Sequence, residues 1–197
     1  MNNNIKKIVI GGEKGGTGKS TVTCLMMDYL DHLNKSARLI DADPIQTSQN
    51  WLDNCQAEGR YLTINPQSEY QIIDTAGNST ASLLWINQAN ILIIPVVMHY
   101  ADLRTIVSWF ITLKRELQNK VFFLPNRWQN TLEQKEGLKQ LEAIIAQEQA
   151  GHILPKLSNR PALYGAFLNR NQENFFTAQD STEAQATLCE ILQQLKK

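Results

Sequence analysis

Ile5-Lys6-Lys7-Ile8-Val9-Ile10 runs directly into Gly11-Gly12-Glu13-Lys14-Gly15-Gly16-Thr17-Gly18-Lys19-Ser20-Thr21, and this stretch decides the fold. The apolar run reads as a buried strand, the glycines as a tight turn, and the residues from about Lys19 to Leu33 as a helix. Strand, glycine-rich loop and helix in that order form the setting of a phosphate-binding loop. Glycines let backbone N–H groups turn inward and approach phosphate oxygens closely, and the positive end of the following helix faces the same anion. Gly15, Gly16, Thr17, Gly18 and Thr21 would make the cradle. Lys19 would sit on the β- and γ-phosphates and the Ser20 hydroxyl on Mg²⁺. The pattern G-x-x-x-x-G-K-[ST] is met except at its first position, which Glu13 occupies.

Two further segments lie where ligand groups gather in a parallel sheet, beyond the carboxyl ends of strands. Leu39-Ile40-Asp41-Ala42-Asp43-Pro44 ends one strand, with Ser48 and Trp51 after it. Its two carboxylates can orient a Mg²⁺-bound water and an attacking water, or they can form an acidic turn that caps the next helix. Ile72-Ile73-Asp74-Thr75-Ala76-Gly77 ends another strand, 55 residues after Lys19. Asp74 there can hold Mg²⁺ through water.

Outward from these motifs, apolar runs alternate with amphipathic segments. Strands are expected at Ile5–Ile10, Ala37–Ile40, Tyr61–Ile64 (weak), Tyr70–Ile73, Ile91–Val97, Val121–Leu124 and Ile153–Leu154. Helices are expected after Asp43 through Trp51 and over Ala81–Ala89, Leu103–Leu117, Thr131–Gln147 and Ser181–Leu195. Strands spaced by helices imply right-handed crossovers. The expected fold is therefore α/β, a mostly parallel twisted sheet with helices on both faces. No repeat, long linker or low-complexity boundary divides residues 1–197, which read as one domain.

Composition sets the limits. Hydrophobic residues are 43% of the 197, enough for a packed core. Charged residues are only 19%, and 17 Asn and 17 Gln, scattered rather than in tracts, take much of their place. No apolar run approaches the ~20 residues of a membrane span, and the polar Met1-Asn2-Asn3-Asn4 start shows no signal peptide. Cys24, Cys55 and Cys189 lack disulfide or zinc-site spacing, which fits a reduced cytoplasm. His32, His99 and His152 show no ligand spacing. Net charge is zero, but residues 103–170 hold 10 Lys/Arg against 5 Asp/Glu. That excess is either ordinary solvated helix faces or a modest basic surface for a polyanion. Lys156, Arg160 and Arg170 are its candidate polyanion contacts.

Lys14, five residues before Lys19, resembles the signature lysine of the deviant Walker motif in the ParA/MinD family of dimeric ATPases. The Asp41–Trp51 segment is similar to that family's D-x-D-P-Q-x-S-x-x-x-W, with Ile45 where Gln is usual and Gln46 one place later. Ile72–Gly77 resembles its Walker B strand, and Ile91–Val96 followed by Asp102 is similar to the small plasmid-type ParA proteins. The resemblance implies a P-loop NTPase fold and an ATP-dependent sandwich dimer in which Lys14 reaches the partner's nucleotide. It implies weak, Mg²⁺-dependent, partner-stimulated ATP hydrolysis, with Lys14, Lys19 and Asp43 catalytic and Ser20, Asp41 and Asp74 around the metal. Asn126 and Arg127 follow a strand where the family often contacts adenine. Non-specific DNA binding, a small centromere-binding partner protein and plasmid or genetic-element partitioning complete the implied function. The implied location is the cytoplasm, on the nucleoid when ATP is bound. A MinD-like membrane-associated positioning ATPase and an accessory ATPase of conjugative DNA transfer are the alternatives. Leu188, Ile191, Leu192 and Leu195 form one apolar stripe in the last helix, with only Lys196 and Lys197 beyond it. It reads as core packing, so membrane binding is not expected.

Lys19→Ala removes the main charge facing the β/γ-phosphates and is expected to lower ATP affinity about 10-fold or more. Calorimetric titration measures this; an unchanged affinity contradicts the loop assignment.

Overall fold

The computed structural model of the chain describes residues 5–60, 68–77, 80–169, 173–177 and 179–196. Six strands form one sheet in the order β2-β3-β1-β4-β5-β6: β1 Lys6–Ile10, β2 Ala37–Ala42, β3 Tyr70–Thr75, β4 Ile91–Val96, β5 Val121–Pro125 and β6 His152–Ile153. Every pairing is parallel. The chain leaves β1 toward β2 on one side, returns through β3, and crosses to β4 on the other side. The carboxyl end of β1 is thus the point where the winding reverses, the place such sheets keep for ligands.

The strands are apolar without a break because both faces are covered. Ile8, Ile10, Ile72 and Ile93 point to one side, under α1 (Lys19–His32), α2 (Thr47–Ala57), α7 (Pro161–Asn169) and α8 (Thr182–Gln194). Val9, Ile73, Leu92 and Ile94 point to the other, under α3 (Thr80–Gln88), α4 (Tyr100–Thr112) and α6 (Leu132–Glu148). Proline is rare inside a central strand because it cannot donate to the ladder. Pro95 is tolerated in β4 because its missing donor faces β1. There the last link is Gly11 N–H to the Ile93 carbonyl at 2.9 Å, and the chain then turns away.

Among the described residues the expected strands and helices are present with three main differences. The helix expected over Leu103–Leu117 stops at Thr112, and a separate turn, α5 (Arg115–Gln118), follows. The break lets the Arg115 guanidinium donate to the Glu148 and Gln149 carbonyls, which satisfies the open end of α6. Helix α2 continues past Trp51 to Ala57. Helix α7 was not foreseen; Pro161 at its first position is the start signal that pattern reading missed. The weak strand expected over Tyr61–Ile64 lies outside the described residues. In α8, Leu188, Ile191 and Leu192 are buried in the core, and Leu195 packs against it, as the apolar stripe required.

Helix α6 lies so close to the β4–α4 junction that a Cβ on Gly137 would stand 2.7 Å from the Met98 carbonyl oxygen. Backbone cannot give way as a side chain can. Gly137→Ala is therefore expected to destabilise the fold by about 1 kcal/mol or more, the overpacking cost exceeding the helix-propensity gain. Denaturant unfolding measures it, and a variant more stable than the parent contradicts this packing.

Candidate functional site

The loop after β1 bends back at Gly18, whose φ of 94° places it in the left-handed region at the start of α1. Two constraints demand glycine there. An L side chain disfavours that conformation, and a Cβ would collide with the Asn126 amide nitrogen. Asn126, buried at the end of β5, donates from Nδ2 to the Thr17 carbonyl at 2.7 Å and so ties the loop to the opposite half of the sheet.

Lys19 is buried, and its Nζ donates to the Lys14 carbonyl at 2.8 Å. Burial lowers its pKa, while the Asp74 and Asp43 carboxylates pull it back up. Lys14 makes an ion pair with Asp102 in the first turn of α4. Lys14 and Lys19 are therefore held within the subunit, one on a carboxylate and one on the loop itself.

The three aspartates do different work. Asp41 accepts Asp43 N–H on Oδ1, and on Oδ2 it accepts Ser48 N–H, Ser48 Oγ–H and Gln49 N–H, all at 2.7 to 3.0 Å. It holds the start of α2 against the end of β2, so the capping alternative is realised at this residue. Asp43 accepts Ile45 N–H at 3.0 Å and leaves its side chain half-buried on a cavity of about 430 Å³ lined also by Gly15, Gly16, Lys19, Ser20 and Thr47. Asp74 is fully buried, and neither of its oxygens accepts a hydrogen bond among the described residues. Burial pushes its pKa up to about 6, and Asp41 adds to the shift. The nearby Ser20 and Ser48 hydroxyls and Lys19 offset part of it, without either hydroxyl reaching hydrogen-bonding geometry.

A buried carboxylate left unpartnered beside a phosphate-binding loop fits a Mg²⁺ hydration shell. No group of three His, Cys, Asp or Glu side chains among the described residues could hold a metal alone. The fitting donor set is therefore Ser20, the Asp74 carboxylate through water, and nucleotide phosphates, the sparse protein ligation usual for Mg²⁺. Asp41 touches the same group through its charge but has most of its acceptor capacity committed to α2.

A second cavity of about 420 Å³ adjoins the first, with Val22, Leu25, Asn126, Leu157, Ser158, Pro161, Tyr164 and Leu168 on its walls. Gly18, Thr21 and Arg127 line both. The sequence placed Asn126 and Arg127 here but missed the wall from Leu157 to Leu168, which is formed by the unforeseen α7 and the segment that leads into it. Of the candidate DNA contacts, Lys156 lies 4.4 Å over the Trp128 ring and Arg160 is paired with Asp180 at 2.9 Å. Both follow the edge strand β6, and Arg170 lies outside the described residues.

Residues 8–171 match the family profile of the CobQ/CobB/MinD/ParA nucleotide binding domain. No curated protein matches the sequence significantly. Among solved structures, a protein of Borrelia burgdorferi B31 described as a plasmid partition protein, bound to AMPPNP, superposes with a TM-score of 0.73 at 18% identity, covering 96% of this chain and 99% of that one. The MinD cell division protein of Aquifex aeolicus gives 0.69 at 21% identity over 98% and 97% of the two chains. The pNOB8 ParA gives 0.71 at 14% identity over 98% and 99%. At these identities the likeness establishes the shared fold.

Because burial raises the pKa of Asp74 from 3.8 to about 6, its ionisation opposes folding. The cost is absent below 3.8, where folded and unfolded chains are both protonated, and complete above about 6. Asp74→Asn is expected to stabilise the nucleotide-free protein near neutral pH by up to about 3 kcal/mol, with the difference vanishing in acid. Thermal melts across pH in chelator measure this. A variant less stable than the parent at neutral pH contradicts the uncompensated carboxylate.

Proposed function

The chain belongs to the CobQ/CobB/MinD/ParA nucleotide-binding domain family, and on that premise we propose that it is a partition-type ATPase that pairs face to face on ATP. The observation that carries this reading is the unpartnered Asp74 carboxylate beside Lys19 and Ser20 at the sheet's switch point. On binding, Lys19 would leave the Lys14 carbonyl for the β- and γ-phosphates. Mg²⁺ bound with the phosphates would neutralise charge on the transferring group. Asp43, on the cavity wall and free of the capping that occupies Asp41, would orient the attacking water.

Dimer formation is supported by the rim of this site. The four most exposed large apolar side chains among the described residues are Ile45, Leu84, Tyr100 and Leu132. Ile45, Tyr100 and Leu132 stand a few residues past the ends of β2, β4 and β5, at the carboxyl edge of the sheet around the phosphate loop, and Leu84 lies on α3, the helix that follows β3. Burying such a rim against a second copy is favourable, and Lys14, released from Asp102, would then reach the partner's nucleotide. Asp43→Ala would keep binding and pairing while losing turnover. The proposed cargo is a plasmid or similar element, held through sequence-independent DNA contacts and a small centromere-binding partner that stimulates hydrolysis. The proposed location is the cytoplasm, on the nucleoid when ATP is bound.

The full chain is expected to be a dimer by light scattering with Mg–ATP or a slowly hydrolysed analogue and a monomer with ADP, while Lys14→Ala stays monomeric in both. In a mobility-shift assay, random duplex DNA should be retarded with ATP, released with ADP, and lost steeply as salt rises. A mass that ignores the nucleotide refutes the pairing; retardation that ignores it refutes the DNA switch.

A further inference from the structure

Arg127 is a long charged residue in a conformation that suits glycine or asparagine. Its φ is 52°, in the left-handed region. Two hydrogen bonds impose it. The Arg127 N–H donates to Asn126 Oδ1 at 2.9 Å, and the Arg127 carbonyl accepts from Gln134 Nε2 at 3.1 Å. Gln134 is wholly buried and is itself fixed, its Oε1 accepting Gln129 N–H at 2.7 Å. The surrounding structure therefore over-determines a strained backbone, the usual mark of a functional position. The side chain gains nothing visible in return: it is exposed, and its guanidinium makes no hydrogen bond or ion pair among the described residues.

Its position gives the reason. Arg127 borders both the phosphate cavity and the second cavity, as do Gly18 and Thr21. A nucleotide with its terminal phosphates on Lys19 and its base against Leu157 and Tyr164 must pass its α-phosphate through that junction. Lys19 and Lys14 serve the far end of the phosphate chain, and among the described residues that line both cavities Arg127 is the only cation. A guanidinium offers a planar fork of donors matched to phosphate oxygens. We infer that Arg127 binds the α-phosphate of the nucleotide in its own subunit. This role rests on the nucleotide site proposed above and differs from the adenine contact expected of it from the sequence.

The test is calorimetric titration of the full chain with Mg–ATP and with Mg–ADP, using Arg127→Ala, Arg127→Gly and Arg127→Lys. The α-phosphate is common to both nucleotides, so Ala and Gly are each expected to weaken ATP and ADP alike, by about 10-fold. Lysine should recover part of the loss. The glycine variant separates side chain from backbone, because it relaxes the left-handed strain while deleting the guanidinium, and its nucleotide-free melting temperature should not fall. Three results would overturn the assignment: unchanged affinities, loss for ATP with ADP untouched, or full affinity in the glycine variant. If Lys19→Ala also binds ATP normally, the nucleotide site itself fails. If Lys19→Ala loses ATP and Arg127→Ala does not, only the role of Arg127 falls.

Discussion

β1 ends at Ile10 while its neighbours run on, β3 to Thr75 and β4 to Val96, which leaves a notch at the carboxyl edge of the sheet. Its neighbours β3 and β4 are reached by crossovers that run in opposite directions, so among the described residues no strand lies across its carboxyl end. Into that gap come the glycine loop, the start of α1, and the ends of β2, β3 and β5. Each part of the site depends on this opening. Asp74 is the register partner of Ile10, and Asp41 that of Asp74, so the pairing ladder sets three positions in a row across the sheet. Asn126 closes the arrangement from the far side by gripping the Thr17 carbonyl.

The chain does not spend its carboxylates evenly. Asp41 is saturated by α2, a structural duty that fixes where the Asp43 turn begins. Asp74 has no such duty and carries a desolvation cost that Ser20, Ser48 and Lys19 offset only in part, which its raised pKa reports. A fold optimised for stability alone would cap it or replace it. The lysines are held in waiting, Lys19 on a carbonyl of its own loop and Lys14 on Asp102. Both anchors are ones that a polyphosphate can outcompete, since it brings several charges into the same low-dielectric space.

Much of this was legible in the sequence. The phosphate loop, the strand-end aspartates and the long apolar strands β4 and β5 are local signals, because glycine freedom and two-sided burial are written into consecutive residues. What escaped depends on contacts distant in sequence. The end of α4 at Thr112 follows from Arg115 reaching the carbonyls of α6 more than thirty residues away. The wall of the apolar cavity depends on α7, nine residues with little helical periodicity whose one start signal is Pro161. Whether Asp41 and Asp43 serve the ligand or cap the next helix could be listed as two alternatives but not decided, since it turns on which carboxylate the Ser48 hydroxyl and amide face. The left-handed backbone of Arg127 depends on Gln134, a polar residue in α6 that composition alone would place in solvent.

On the function proposed, Asp74 is left without hydrogen-bond partners to receive a metal-bound nucleotide. The most direct test is the melting temperature of the full chain with Mg–ATP, with ATP in chelator, and with Mg²⁺ alone. A ligand present at about 100 times its Kd adds about 2.7 kcal/mol of stability. A rise of several degrees is expected with Mg–ATP, a clearly smaller one with metal-free ATP, and none with Mg²⁺ alone. Equal stabilisation by ATP with and without the metal, or no stabilisation at all, would contradict this reading.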